Sequence, residues 1–179
     1  MSEAENKINS KIVYDGLINQ VEIRNIQIQG RDSKREIILH PDAVAIVALT
    51  EDDRMYLVNQ YRSVVEDFVL EIPAGKIDDR DDTPEAAAIR ELNEEIRIKA
   101  GVLTKLADYY PTIGWATEMC ILYLAQNLSP VEINLDRDQG ESLDILTVSF
   151  EELDQLYKEG KLIDGKTLMA YYWWSANRK

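Results

Sequence analysis

Along the first third of the chain, apolar and polar residues alternate in short runs, separated by glycine, proline and acidic residues. "KIVYDG" (11–16), "LINQVEIRNIQIQG" (17–30) and "REIILH" (35–40) each read as strands closed by turn signals. "AVAIVALT" (43–50) is a continuous apolar run of the kind that sheets bury on both faces. "RMYLVNQYR" (54–62) alternates more, and the acidic turn "EDD" joins the two. "DFVLEIPAG" (67–75) predicts a strand that stops at its proline and glycine.

The period then changes to that of a helix. Thr83 is placed to cap, Pro84 suits the first helical position, and "EAAAIRELNEEI" (85–96) contains no breaker. Strand patterns return in "VLTKLADYY" (102–110) and "MCILYLAQNL" (119–128), around the loop "PTIGWATE" (111–118). The polar stretch "NLDRDQGES" precedes a further strand, "LDILTVSF" (143–150). Ser149 and Glu152 form a capping-box pattern that opens the helix "FEELDQLYKE", and Gly160 is placed to end it. "DGKTLMAYYWWSANRK" predicts a last helix, and packing on the sheet or a dimer partner is favoured for Trp173 and Trp174 over a ligand platform. The sum is an α/β (α+β) fold, a mixed β-sheet sandwiched by about three helices. Residues 1–10 are expected to be mobile, 11–40 to form an N-terminal antiparallel β-subdomain, and 41–179 the main domain.

The helix over 85–96 raises a question of charge. At about 100° per residue, Ala88, Ile89, Leu92 and Ile96 share one stripe, while Glu91, Glu94 and Glu95 fall within another arc. A solvated acidic face is the ordinary reading of such a pattern. Two features oppose it here: Glu91 and Glu95 repel at i, i+4, and all three lie toward the helix end that disfavours anions. A hard divalent cation, Mg²⁺ or Mn²⁺, removes both penalties, since it prefers carboxylate and carbonyl oxygens. Arg90 and Glu94, also at i, i+4, are spaced to pair.

Composition narrows the choice of partner. The 179 residues carry a net charge of −13, which repels nucleic acid and anionic membrane. A phosphorylated small molecule needs a local cation to approach. No apolar run reaches the ~20 residues that span a bilayer, and "MSEAENKINS" lacks the apolar stretch of a secretory signal, so a cytoplasmic protein is expected. Cys120 stands alone and reads as a small buried side chain. His40, beside Pro41, reads as closing a strand end rather than doing chemistry.

"RELNEEIRI" resembles the core of the Nudix box, G-x5-E-x7-R-E-U-x-E-E-x-G-U with U apolar, with Gly75, Arg90, Glu91, Leu92, Glu94, Glu95 and Ile98 at matching positions. "NQYR", "LEIPAGKID", "PTIGWATE", "GESLDI" and "GKLIDGKTLMAYYWW" are similar, in order, to segments of the ADP-ribose pyrophosphatase branch of the Nudix hydrolases. The likeness runs from about Tyr14 to the C-terminal helix. The sequence departs from the box at two places. The first acidic position is either Asp81 or Asp82, with one extra residue in the spacing, and Arg97 replaces the glycine after the glutamates. Arginine adopts a left-handed helix cap poorly, so the helix is expected to run on toward Gly101 or to end in a different turn.

The resemblance implies hydrolysis of a nucleoside diphosphate sugar, with ADP-ribose giving AMP and ribose 5-phosphate. It implies more than one bound Mg²⁺ or Mn²⁺, with Glu91, Glu95 and the carbonyl of Ala74 as ligands. Glu94 is a third ligand or an outer-shell partner, and Arg90 orients the cluster. Glu141 in "GESLDIL" stands where the branch places its catalytic base, with Asp144 the weaker candidate. Arg62 matches an arginine near the ligand, suited to phosphate or to stacking on adenine; Glu71 and Glu118 are acids of the same cleft. The branch implies a homodimer through residues 11–39. Other nucleotide sugars (UDP-glucose, GDP-mannose) and a non-catalytic ADP-ribose-sensing module are the alternatives.

Overall fold

The structure, a computed structural model, describes residues 4–137, 140 and 142–178. The chain forms two compact units, Met1–Asp42 with Tyr110–Cys120, and Ala43–Tyr109 with Ile121–Lys179.

The first unit is built on three antiparallel strands in the order β1 (Asn6–Asp15), β2 (Gln20–Ile28), β3 (Arg31–Leu39). Gln29 and Gly30 join β2 to β3 with φ values of 52° and 70°, the two positive values that a two-residue hairpin turn of right-handed twist requires. Residues 6–10, expected from the sequence to belong to a mobile terminus, are paired strand: Asn6 lies opposite Gln27 and Ser10 opposite Arg24. Glu22 is buried in this sheet and held by Arg24 at 2.7 Å and Lys7 at 3.1 Å. Just past the end of β3, the His40 amide donates to Thr117 Oγ1 at 3.0 Å, so His40 closes the strand as its sequence setting indicates.

The second unit contains the remaining elements: β4 (Ala43–Ala48), β5 (Arg54–Arg62), β6 (Asp67–Glu71), β7 (Ala74–Lys76), α1 (Pro84–Ile96), β8 (Ile98–Tyr109), β9 (Cys120–Pro130), β10 (Leu143–Ser149), α2 (Phe150–Lys158) and α3 (Gly165–Asn177). Its strands form two sheets, β10-β5-β6 and β7-β4-β9-β8. All six residues of β4 are buried, as the unbroken apolar run predicts. The stretch 67–75, read as one strand, is two, contributed to different sheets. Pro73 has no N–H for a ladder. The Ile72 amide instead donates to Thr167 Oγ1 of α3 at 2.9 Å, while the Pro73 carbonyl accepts from Ile46 N–H at 2.8 Å.

Helix α1 packs against β4, β7 and β8. Thr83 caps it as predicted, accepting from Ala86 N–H at 3.1 Å, and Pro84 opens it. The Ser149–Glu152 capping box at α2 forms in both directions, and Gly160 follows it with φ 70°. Trp174 is buried on α3, where its ring meets Phe150 edge-on.

Candidate active site

The two faces assigned to α1 are both inside. Ala88, Leu92 and Ile96 are buried in the apolar core, but Ile89, expected among them, is 51% exposed. Its place in the interior is taken by the acids. Glu91, Glu94 and Glu95 are only 8%, 4% and 2% exposed, so a solvated acidic face is excluded.

Arg90 organises Glu91 and Glu94, and Arg80 Nη1 also reaches Glu94 Oε1 at 3.4 Å. Arg90 uses all five of its N–H donors. Nε and Nη2 grip the two oxygens of Asp81 at 2.9 and 2.7 Å, and Nη2 also reaches the Lys76 carbonyl at 2.9 Å. Nη1 donates to Glu91 Oε1 at 2.6 Å and to Glu94 Oε2 at 2.9 Å, the latter being the expected i, i+4 pair. The Asp81 bonds raise the arginine's pKa first of all, against the opposing effect of burial, and Glu91 and Glu94 add to it. Asp81 in turn is held below its ordinary range by Arg90, despite its burial. Of the two acids that the spacing leaves open, Asp82 is exposed and Asp81 is the arginine's partner.

The turn after Pro73 closes the site from the other side. Ala74 N–H donates to Glu95 Oε2 at 3.1 Å. Gly75 lies so close to Glu91 that a Cβ built there would stand 2.0 Å from Oε1, inside van der Waals contact. Residues 74, 75, 81, 90, 91, 94 and 95, singled out from sequence, are therefore one cluster.

Arg97 itself is the left-handed cap of α1, at φ 62° and ψ 32°; the helix neither runs on toward Gly101 nor finds a different turn. Its amide bonds Asn93 O at 3.1 Å, and its side chain reaches the carbonyls of Asn93 and Leu135. Arg137 adds bonds to the carbonyls of Glu94 and Glu95 at 3.2 and 3.0 Å. Two cations thus sit on the helix end that would otherwise disfavour the glutamates.

Elsewhere in the second unit, Glu71 at the end of β6 is 3% exposed and both its oxygens are engaged. Arg62 Nε and Nη2 bind Oε1 and Oε2 at 2.5 and 2.7 Å, and Lys166 Nζ also bonds Oε2. Burial raises the Glu71 pKa, but Arg62 and Lys166 outweigh it and the net shift is downward. Arg62 is raised chiefly by Glu71, against burial, and feels Glu95 as well, which links it electrostatically to the glutamate cluster. Glu118 belongs to the first unit, with Oε1 4.0 Å from His40 Nδ1. Glu141 lies outside the described residues. Asp144 is exposed on β10, opposite Asn59. Lys166 and Arg137 carried no signal in the sequence, since each acts on groups far away along the chain; Asp164 is a local cap of α3, and its spacing to Thr167 is the signal that could have found it.

Among the described residues no set of His, Cys, Asp or Glu side chains converges as a ready-made metal site; Glu91 and Glu94 turn toward Arg90, and Glu95 accepts from the Ala74 amide. The donor set still fits a hard cation. Asp81, Glu91, Glu94 and Glu95 together outweigh the one buried guanidinium among them, and the absent side chain at Gly75 lets the Glu91 carboxylate lie against the turn.

Residues 39–171 match the NUDIX domain family, and the chain belongs to it. The chain is 36% identical over 167 residues to an ADP-ribose pyrophosphatase of Bacillus subtilis (strain 168), covering 93% of this chain and 88% of that protein. It is 34% identical over 167 residues to a methanol dehydrogenase activator of Bacillus methanolicus, covering 93% and 90%. A GDP-mannose pyrophosphatase of Enterobacter sp. (strain 638) is 26% identical, over 90% of each chain. A crystal structure of an ADP compounds hydrolase superposes with a TM-score of 0.85 over 98% of this chain and 97% of its own. At 23% identity, that likeness speaks for the fold. The protein is an enzyme of hydrolytic type.

Proposed function

We propose that the protein is a divalent-metal-dependent pyrophosphatase of nucleoside diphosphate sugars, acting on ADP-ribose to give AMP and ribose 5-phosphate. The observation that carries this reading is the buried meeting of Ala74, Gly75, Glu91, Glu94 and Glu95 around Arg90. It has the shape of a cation platform, and the 36% identity to an ADP-ribose pyrophosphatase supports the choice of substrate.

Glu91, Glu95 and the Ala74 carbonyl would hold Mg²⁺ or Mn²⁺, with Glu94 as a further ligand or outer partner, and an ion held there would supply neutralisation of the diphosphate's charge and a lowered pKa for nearby water. The chain supplies the rest. Arg90, saturated by its own bonds, holds the glutamates in register and does not touch substrate. Arg62 meets the diphosphate, Glu71 and Glu118 belong to the ligand-binding region, and Glu141 removes a proton from the attacking water. The left-handed cap at Arg97 weakens the case for a non-catalytic sensor, since the glycine it replaces is conformationally substituted.

A homodimer and a cytoplasmic site of action complete the reading. The former is supported by Ile8, Ile12, Val13 and Tyr14, all exposed on β1. The test is phosphate release, after coupled phosphatase treatment, from a panel of ADP-ribose, UDP-glucose and GDP-mannose with and without Mg²⁺ or Mn²⁺. Metal-dependent release that is greatest from ADP-ribose is expected. Hydrolysis of none of them, or hydrolysis indifferent to chelator, overturns the proposal.

A further inference from the structure

We infer that Lys166, in the first turn of α3, is a positioning residue for Arg62, acting through Glu71, and that this relay sets how tightly the diphosphate is gripped. The inference rests on the proposed role of Arg62 and deepens it. Arg62 commits Nε and Nη2 to Glu71, leaving Nη1 without a hydrogen-bond partner among the described residues. That donor is the one available to a phosphate oxygen. Where it points depends on Glu71, which holds the rest of the guanidinium.

A buried carboxylate held by Arg62 alone would be free to swing with it, and Lys166 fixes it from the other side by sharing Glu71 Oε2. The ammonium is itself fixed and balanced by Asp164 Oδ1 at 3.1 Å, so the four groups are neutral together and what Lys166 supplies is the place of the carboxylate that aims Arg62. Asp164 is the N-cap of α3: its Oδ2 accepts from Thr167 N–H at 3.0 Å and from Thr167 Oγ1 at 2.7 Å. Thr167 Oγ1 accepts in turn from the amide of Ile72, the neighbour of Glu71. One helical turn therefore holds both the Glu71 side chain and the backbone that follows it. With both its oxygens engaged, Glu71 acts on the ligand through Arg62.

A mere staple between helix and sheet would change stability and leave substrate affinity alone. The experiment compares kcat and KM for ADP-ribose with Mg²⁺ in the wild type, Lys166→Met, Lys166→Arg, Arg62→Ala and the Arg62→Ala/Lys166→Met double variant, with thermal midpoints read alongside. Loss of one charged hydrogen bond on the relay predicts that Lys166→Met raises KM about tenfold with kcat within about twofold. Lys166→Arg restores KM to within about threefold of wild type, and in the Arg62→Ala background Lys166→Met changes KM less than about twofold. If Lys166→Met does not fold, Lys166→Gln is read in its place, with the same expectations. A lowered midpoint with unchanged KM, a loss in kcat alone, or the same rise in KM without Arg62 overturns the relay, with wild-type turnover intact. A wild type that hydrolyses no nucleoside diphosphate sugar overturns the functional reading and this inference together.

Discussion

Gly75 shows how much one missing side chain can decide. A methyl group there would collide with the Glu91 carboxylate at 2.0 Å, and the flexible acid gives way more easily than the backbone. Gly75→Ala is therefore expected to lower kcat at least about tenfold by turning away Glu91, the proposed metal ligand. Its urea midpoint stays near that of the wild type, and full activity would show that Glu91 does not need its present place. Glu141→Gln is expected to lower kcat while leaving KM and metal dependence nearly unchanged, as steady-state kinetics across metal concentrations will report; weaker binding at normal turnover counts against it as the base. Arg97 gives a stability order rather than a single value. Its αL conformation costs a non-glycine residue about 1–2 kcal/mol, which its side-chain bonds to the Asn93 and Leu135 carbonyls offset. Arg97→Ala keeps the strain and loses the bonds, whereas Arg97→Gly loses both. The glycine variant should thus unfold at higher urea than the alanine one, by about 1 kcal/mol.

At the scale of elements, what could be read in advance was what is encoded within a few residues. The Thr83 cap, Pro84 and the Ser149–Glu152 box involve partners within three positions, and all formed. The glutamate face was legible because helical spacing brings its members together. What stayed hidden depended on distant partners. The Arg97 cap relies on a carbonyl at Leu135, and the Glu71 clamp on Lys166, 95 residues away. Ile89 was placed in the core by angle alone, yet the interior of α1 is shared with buried acids that Arg90 makes tolerable. Strand β2 carries its own buried acid. Hydrogen bonds from Arg24, then Ser10 and Lys7, hold the Glu22 carboxyl down at about 2, against its burial. A depressed carboxylate contributes stability above its unfolded pKa and loses it as pH falls toward the folded value. Wild-type stability should therefore fall more steeply than that of Glu22→Gln between about pH 4.5 and 2, the two converging at the acid end, as urea midpoints across pH will show.

For the whole molecule, a net charge of −13 makes the approach of a diphosphate unfavourable until cations intervene. The same charge must be overcome when two copies meet, and the apolar side of β1 is where burial can do so. Light scattering is expected to give twice the chain mass, and Tyr14→Asp with Val13→Asp to reduce it to one chain; a monomeric wild type sinks the dimer. The break at Pro73 reaches furthest. Glu71, which braces Arg62, and Ala74, whose amide meets Glu95, stand either side of Ile72 and Pro73. Three residue steps of backbone can span no more than about 10 Å. With Arg62 and the glutamates in the roles proposed for them, this short tether would work as a gauge, keeping the anchor for the anion and the seat of the ions at one separation. Which of a substrate's two phosphorus atoms is presented for attack would then be written into the main chain, and side-chain changes that alter the preferred sugar would leave the point of scission where it was.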